Sequence, residues 1–173
     1  MDLHHKKIDF TNDREYVLER HCRINYECDC PWKRKMSYDE YRVEWFGPKS
    51  QTDGFFNALI DSALDRRTIA EIIYNEQNEV VGYLWVPFYE DNESGFCFAD
   101  VHDIYIEEGF RALGLASKLM AYAETKAKES GANVIRSGTG CENKSSLGLH
   151  EKLGYYQYRY EFEKVLYLRF IAL

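Results

Sequence analysis

The chain has 173 residues, 45% of them hydrophobic and 29% charged, proportions that fit an ordinary globular protein able to bury a core without disulfides or metal. Its 22 basic and 29 acidic residues give a net charge of −7, which disfavours nonspecific binding to nucleic acid or an anionic membrane and favours cationic partners. No run approaches the ~20 apolar residues of a membrane span, and the two lysines near the N-terminus have no apolar stretch behind them, so a cytoplasmic protein is expected. Five cysteines (Cys22, Cys28, Cys30, Cys97 and Cys141) are an odd number and are expected as reduced thiols. His21, Cys22, Cys28 and Cys30 lack the paired C-x-x-C spacing and second half-site of structural zinc, so no metal is expected.

With no repeat or long linker, residues 1–173 read as one domain. Residues 12–27 carry Val17, Leu18 and Ile24 on a helical stripe behind an Asn/Asp cap. Residues 28–54 are broken by Pro31, Gly47, Pro48 and Gly54, with a short helix over 38–46, and another helix follows over 55–65. TIAEIIY (68–74) and VVGYLWVPFY (80–89) flank the turn NEQNE and form an antiparallel hairpin. Residues 96–106, FCFADVHDIYI, are apolar on both faces apart from Asp100, His102 and Asp103, which marks a central strand. Residues 115–130 form an amphipathic helix stopped at Gly131, and a strand returns over 133–138. Asn143 caps a short helix closed by Gly154, and residues 155–170 supply one long or two short terminal strands. This order predicts an α+β fold with a mixed sheet.

Between the central strand and the next helix lies the turn E-E-G-F-R-A-L-G-L-A, residues 107–116. A helix N-terminus offers unpaired N–H donors and partial positive charge, and Gly114 lets an anion approach the backbone. The turn is neither a P-loop, lacking Gly-Lys-Ser/Thr, nor a dinucleotide fingerprint, lacking the G-x-G-x-x-G spacing.

R-A-L-G-L-A after D-I-Y-I resembles the R/Q-x-x-G-x-G/A motif of the GNAT superfamily of N-acetyltransferases. N-K-S-S-L-G-L-H-E-K-L-G-Y resembles the same family's second motif, at Asn143, Ser146, Leu149, His150, Gly154 and Tyr155. The resemblance implies a single GNAT-like domain whose mixed, mostly antiparallel sheet splays at its central strands between flanking helices. It implies acetyl-CoA as co-substrate. The backbone of Ile104, Tyr105 and Ile106 would pair with the pantetheine arm, and the amides of Arg111, Ala112, Leu113, Gly114, Leu115 and Ala116 would hold the pyrophosphate. Asn143 and Ser146 would border the pantetheine on its other side. Ala112 and Ala116 stand where many relatives have glycine, so a slight loss of backbone freedom is expected.

Acetyl transfer to an amine needs a neutral nucleophile, oxyanion stabilisation and a proton for the leaving thiolate. Asp100 and His102 stand two apart on one strand, so their side chains share a face with Cα atoms about 7 Å apart. Their positions are similar to those of a glutamate base in histone-type relatives and of paired histidines in serotonin-acetylating relatives. Asp103 is expected on the opposite face in a structural role, although polyamine-acetylating relatives place an acidic pair close by. His150 stands where many relatives carry a tyrosine that protonates the departing sulfur, and imidazole can donate near neutral pH. Cys141 has no partnered base in sequence, so direct attack in a ternary complex is expected over an acyl-cysteine.

The expected activity is acetylation of a primary amine on a small molecule, with no nucleic-acid or membrane partner. A protein or peptide N-acetyltransferase and a non-catalytic acyl-CoA-binding module are the alternatives, and the oligomeric state is left open, a homodimer included. Tyr26, Trp32, Tyr38, Tyr41, Trp45 and Phe88 are either aromatic walls for a cationic acceptor or simply core.

Overall fold

Near-continuous apolar runs in the middle of the chain build sheet that must be covered on both faces. The computed structural model describes residues 2–28, 36–48 and 52–162. Within them the order is β1 (His4–Lys7), α1 (Arg14–Cys28), α2 (Tyr38–Trp45), α3 (Thr52–Ser62), β2 (Ile69–Tyr74), β3 (Val80–Val86), β4 (Phe88–Glu90), β5 (Cys97–Val101) and β6 (Asp103–Ile106). A 3-10 turn (Glu108–Phe110), α4 (Leu115–Glu129), β7 (Val134–Ser137) and α5 (Lys144–Lys152) follow. The fold is α+β with a mixed, mostly antiparallel sheet and flanking helices.

One ladder runs β1-β2-β3-β6, antiparallel throughout; the other runs β4-β5-β7, with β5 parallel to β7. The hairpin expected over 68–89 is present, but its second arm divides at Pro87 into β3 and β4. The central strand expected over 96–106 likewise divides at His102 into β5 and β6. Since β5 pairs with β7 and β6 pairs with β3, the sheet splits where the central strand divides.

Helices cover the two faces unequally. On one side Leu115, Leu119, Met120, Ala123 and Ala127 of α4 pack on Leu84, Val86, Ala99, Val101 and Ile106. On the other, Val17 and Leu18 of α1 and Phe56 and Leu59 of α3 pack on Tyr83, Trp85 and Tyr105. Burying each large side chain stabilises by roughly 1.5–3 kcal/mol, so β3, apolar on both faces, anchors both layers.

β1 has no apolar alternation and was not legible; pairing with β2 holds it in place. In the part of the expected C-terminal strand region that lies within the described residues, 155–162, no regular strand forms, and Tyr156, Tyr158, Tyr160 and Phe162 are exposed. The rest of that region lies outside the described residues.

At Gly82 the strands β3 and β6 approach so closely that a Cβ would lie 2.1 Å from the Tyr105 carbonyl oxygen. Gly82→Ala should therefore push β6 off β3 and cost about 1–3 kcal/mol, the usual penalty for overpacking. Urea unfolding would read this as a lowered midpoint; an unchanged midpoint would show that the two strands part freely.

Candidate active site

One extra residue shapes the centre of the molecule. From the pair Phe88↔Ala99 to the pair Trp85↔Asp103 the chain advances three residues on one strand and four on the other. His102 and Asp103 together oppose Trp85: Asp103 is its register partner, and His102 N donates to Trp85 O at 3.0 Å. Two residues facing one is a β-bulge, which bends the strand and breaks the alternation of faces. Asp103 is therefore not on the face opposite His102, as strict alternation predicts. His102 stacks on Trp85 with ring centroids 4.2 Å apart, and Asp103 meets Tyr83, both rings belonging to the α1 side of the sheet.

Asp103 is buried and fully engaged. Its Oδ2 accepts from His21 Nδ1 at 2.8 Å and from the Tyr83 hydroxyl, while its Oδ1 lies 3.7 Å from His102 Nδ1, an ion-pair distance. Burial opposes its ionisation, but these donors outweigh burial and hold the carboxyl well below the usual carboxylate range. For His102, which is 41% exposed, burial likewise opposes protonation, and the Asp103 and Asp100 carboxylates outweigh it, raising its pKa. Asp100 is raised by burial, against the opposing pull of His102 and Arg136.

Beyond the bulge, Glu107 N donates to Val81 O, and the direction of hydrogen bonding alternates along a strand. Tyr105 thus turns its N–H and C=O to β3, while Ile104 and Ile106 turn theirs to the edge opened by the split. The Ile106 carbonyl is met by Arg111 Nε at 3.0 Å, and the Arg111 guanidinium lies 3.6 Å from Glu27 and 5.3 Å from the Tyr105 ring centroid. The cradle follows. Ala112 and Gly114 adopt left-handed φ of 62° and 76°, and the first bond of α4 runs from Lys118 N to Gly114 O. The amides of Leu115, Ala116 and Ser117 precede that ladder and are available to an anion. A Cβ on Gly114 would meet nothing within 4 Å, so the space over the cradle is open.

Across the split, Asn143 caps α5 by accepting from Ser146 N at 3.1 Å, and its Nδ2 donates to Cys28 Sγ at 3.0 Å. His150 Nδ1 donates to Ser146 O at 2.7 Å; its Nε2 is buried with no hydrogen-bond partner among the described residues. The His150 ring meets Tyr155 edge-on at 5.2 Å. Among the described residues its hydrogen bond and ring contact are with α5 and Tyr155, not with Asp100 or His102.

The walls on the α1 side are aromatic. His21 stacks on Phe55 at 3.5 Å and lies 5.6 Å from Trp45, which neighbours Tyr41. Tyr26 packs between Tyr38 and Tyr41. Phe88 belongs to the α4 side, and Trp32 lies outside the described residues. A hollow of about 320 Å³ opens between α1 and the turn at Glu107–Gly109, where Glu107 is clamped by Tyr16 at 2.8 Å and Arg20 at 2.7 Å.

The sequence pattern of the Acetyltransferase (GNAT) family matches residues 34–155, most of the chain. The chain belongs to the GNAT acetyltransferase family. Among curated relatives, the uncharacterized N-acetyltransferase MJ1207 of Methanocaldococcus jannaschii is 23% identical over 149 residues, 83% of this chain and 57% of that protein. L-amino acid N-acyltransferase MnaT of Escherichia coli is 31% identical over 98 residues, 53% of this chain and 54% of that protein. The matches thus span a little over half the length of these relatives. Among solved structures, AAC(6')-Iy in complex with a bisubstrate analog, CoA-S-monomethyl-acetylneamine, superposes with a TM-score of 0.62 at 16% identity, covering 95% of this chain and 99% of that one, a likeness of fold.

As a GNAT chain it carries two residues near the split that sequence reasoning did not bring together: His21, weighed there only as a metal ligand, and Asp103, expected on the opposite face in a structural role. The available signal was the adjacency of two ionisable residues, His102-Asp103, in an apolar strand: alternation would bury one charge alone, whereas a bulge lets both face polar partners. Among the described residues no helix is long and apolar enough to cross a membrane.

The GNAT cradle here holds an alanine in left-handed backbone, which costs a non-glycine residue roughly 1–2 kcal/mol. Ala112→Gly should remove that strain, partly offset by about 0.4–1 kcal/mol of added unfolded-state entropy. A thermal midpoint raised by up to a few degrees is expected; a lowered one would show that Ala112 sits there without strain.

Proposed function

We propose that this chain transfers an acetyl group from acetyl-CoA to a primary amine of a small molecule, by direct attack in a ternary complex. The observation that carries this reading is the open β6 edge lying between the left-handed anion cradle and the Asp100, His102 and Asp103 cluster. An acyl carrier needs the first two, and an ammonium acceptor needs the third. In this reading Ile104 and Ile106 offer outward amide groups to the pantetheine arm, with Tyr105 the strand residue between them. The amides from Arg111 to Ala116 (Arg111, Ala112, Leu113, Gly114, Leu115, Ala116) hold the pyrophosphate, and Asn143 and Ser146 border the arm from α5. Acetyl-CoA supplies an activated thioester carbonyl.

The acceptor arrives as an ammonium, which the negative field of the chain attracts. His102, aided by Asp100, takes one proton so that the neutral amine nitrogen can bond to the carbonyl carbon, and the nitrogen's second proton passes to solvent as the amide forms. The carbon–sulfur bond then breaks, and the thiolate needs a proton. His150 is assigned to supply it: with Nδ1 bonded to Ser146 O, its Nε2 bears a proton only in the imidazolium form. A relative named for L-amino acid N-acylation supports an amino acid or similar small amine as acceptor.

Gly114→Asp should weaken acetyl-CoA binding at least tenfold by calorimetry, because a carboxylate would stand where the pyrophosphate lies. Gly114→Asn, similar in shape and neutral, should bind much better than Asp; equal affinity in both would move the cradle elsewhere. The paired variant Asp100→Asn, His102→Ala should slow thiol release from acetyl-CoA with an L-amino acid panel by ~100-fold or more while leaving acetyl-CoA affinity intact. Full activity in that variant would remove both residues from the chemistry.

A further inference from the structure

We infer that Asp103 is the positioning residue for His102: one carboxylate oxygen fixes the imidazole's Nδ1 edge, while His21 and Tyr83 hold the other oxygen. This rests on the reading above only in calling His102 the base. The geometry divides the carboxylate cleanly, with Oδ2 taking His21 Nδ1 and the Tyr83 hydroxyl and Oδ1 facing His102 Nδ1 at 3.7 Å. A carboxylate beside Nδ1 selects the tautomer with hydrogen on Nδ1, which leaves the Nε2 lone pair pointing away from the bulge. That is the nitrogen a base needs.

The role of His21 follows from its own hydrogen bonds. Its Nδ1 donates to Asp103 and its Nε2 meets Asn25 Nδ2 at 3.2 Å, so the ring is held at both nitrogens and keeps Oδ2 occupied. Tyr83, buried beside the same oxygen, has its pKa raised well above the ordinary value, first by burial and then by Asp103, and stays neutral. Asp103 therefore stays ionised with its Oδ2 taken by both partners, and Oδ1 is the oxygen left to face His102.

Every other group facing His102 adds to this effect or is small beside it. Asp100, two residues upstream, is a second carboxylate acting in the same direction. Trp85 presents its ring face at 4.2 Å, which favours a cationic imidazole. His21 stands farther off, its ring centroid 6.4 Å away. Arg136 of β7 acts on Asp100, and Asp100 in turn raises Tyr89 of β4.

The test is a titration of the imidazole C–H resonances in the full chain by NMR, with His102→Gln identifying the His102 signal. In the wild type His102 should titrate above ~6.5, and Asp103→Asn should lower its proton affinity roughly tenfold, moving the midpoint down by about one unit. A wild-type midpoint at or below ~6.5 overturns the assignment and needs no folded variant. An unmoved midpoint in a folded Asp103→Asn protein overturns it as well. In rate profiles with acetyl-CoA and an L-amino acid, the low-pH limb should shift to lower pH in Asp103→Asn, because a weaker base deprotonates sooner. Failure of every amine to react would sink the acetyl-transfer reading and leave the titration to decide the role of Asp103.

Discussion

The structure depends on a single inserted residue in its central strand. Without the bulge at His102 and Asp103, β5 and β6 would continue as one strand with β3 and β4 along one side and β7 along the other. The extra residue turns the chain so that β5 keeps its parallel partner while β6 leaves it. The same turn brings Asp103 to the side of His102. Opening of an edge and gathering of charge are therefore one event in the backbone, and a strictly alternating strand would have neither.

A bent strand with an open edge needs support, and α1 supplies it along its whole length. Near its start Tyr16 and Arg20 clamp Glu107, at mid-length His21 bonds Asp103, and at its end Cys28 meets Asn143 and lies against Gly140. These ties fall beyond the end of β6, at its beginning, and on the far side of the split. The Arg20–Glu107 contact is bidentate and partly buried, the geometry in which a charge-assisted pair holds direction as well as position. The two cores then differ in purpose. The α4 side is almost wholly aliphatic and fixes the sheet, while the α1 side mixes aromatic rings with the paired charges of the bulge.

Much of this was legible in the amino acids. Helix α4 was plain from its apolar spacing and Gly131, whose φ is 80°, and α5 from the Asn143 cap and Gly154 at 81°. The turn before α4 was visible because Gly114 precedes an amphipathic helix. What escaped is what tertiary pairing decides. β1 is four polar residues held by the edge of β2, with no internal pattern to betray it. The face of Asp103 was misjudged because alternation assumes an unbroken strand, and a bulge is set by what the neighbouring strand and helix offer. His21 lies 82 residues from Asp103 in sequence, a separation no local pattern bridges.

Arg111 also acts as a stop on the open edge. Its guanidinium occupies the Ile106 carbonyl, so an extended chain laid against β6 from the cradle finds its first acceptor already taken. Among the described residues, the free outward groups begin at the Ile106 N–H and continue at Ile104, a reach of two residues or about 7 Å. Such an edge offers pairing only over a short span and gives a peptide strand little to hold. It also measures distance: whatever is anchored at the cradle and paired at Ile104 has its far end set beside the bulge, by a length of backbone and not by the shape of a pocket.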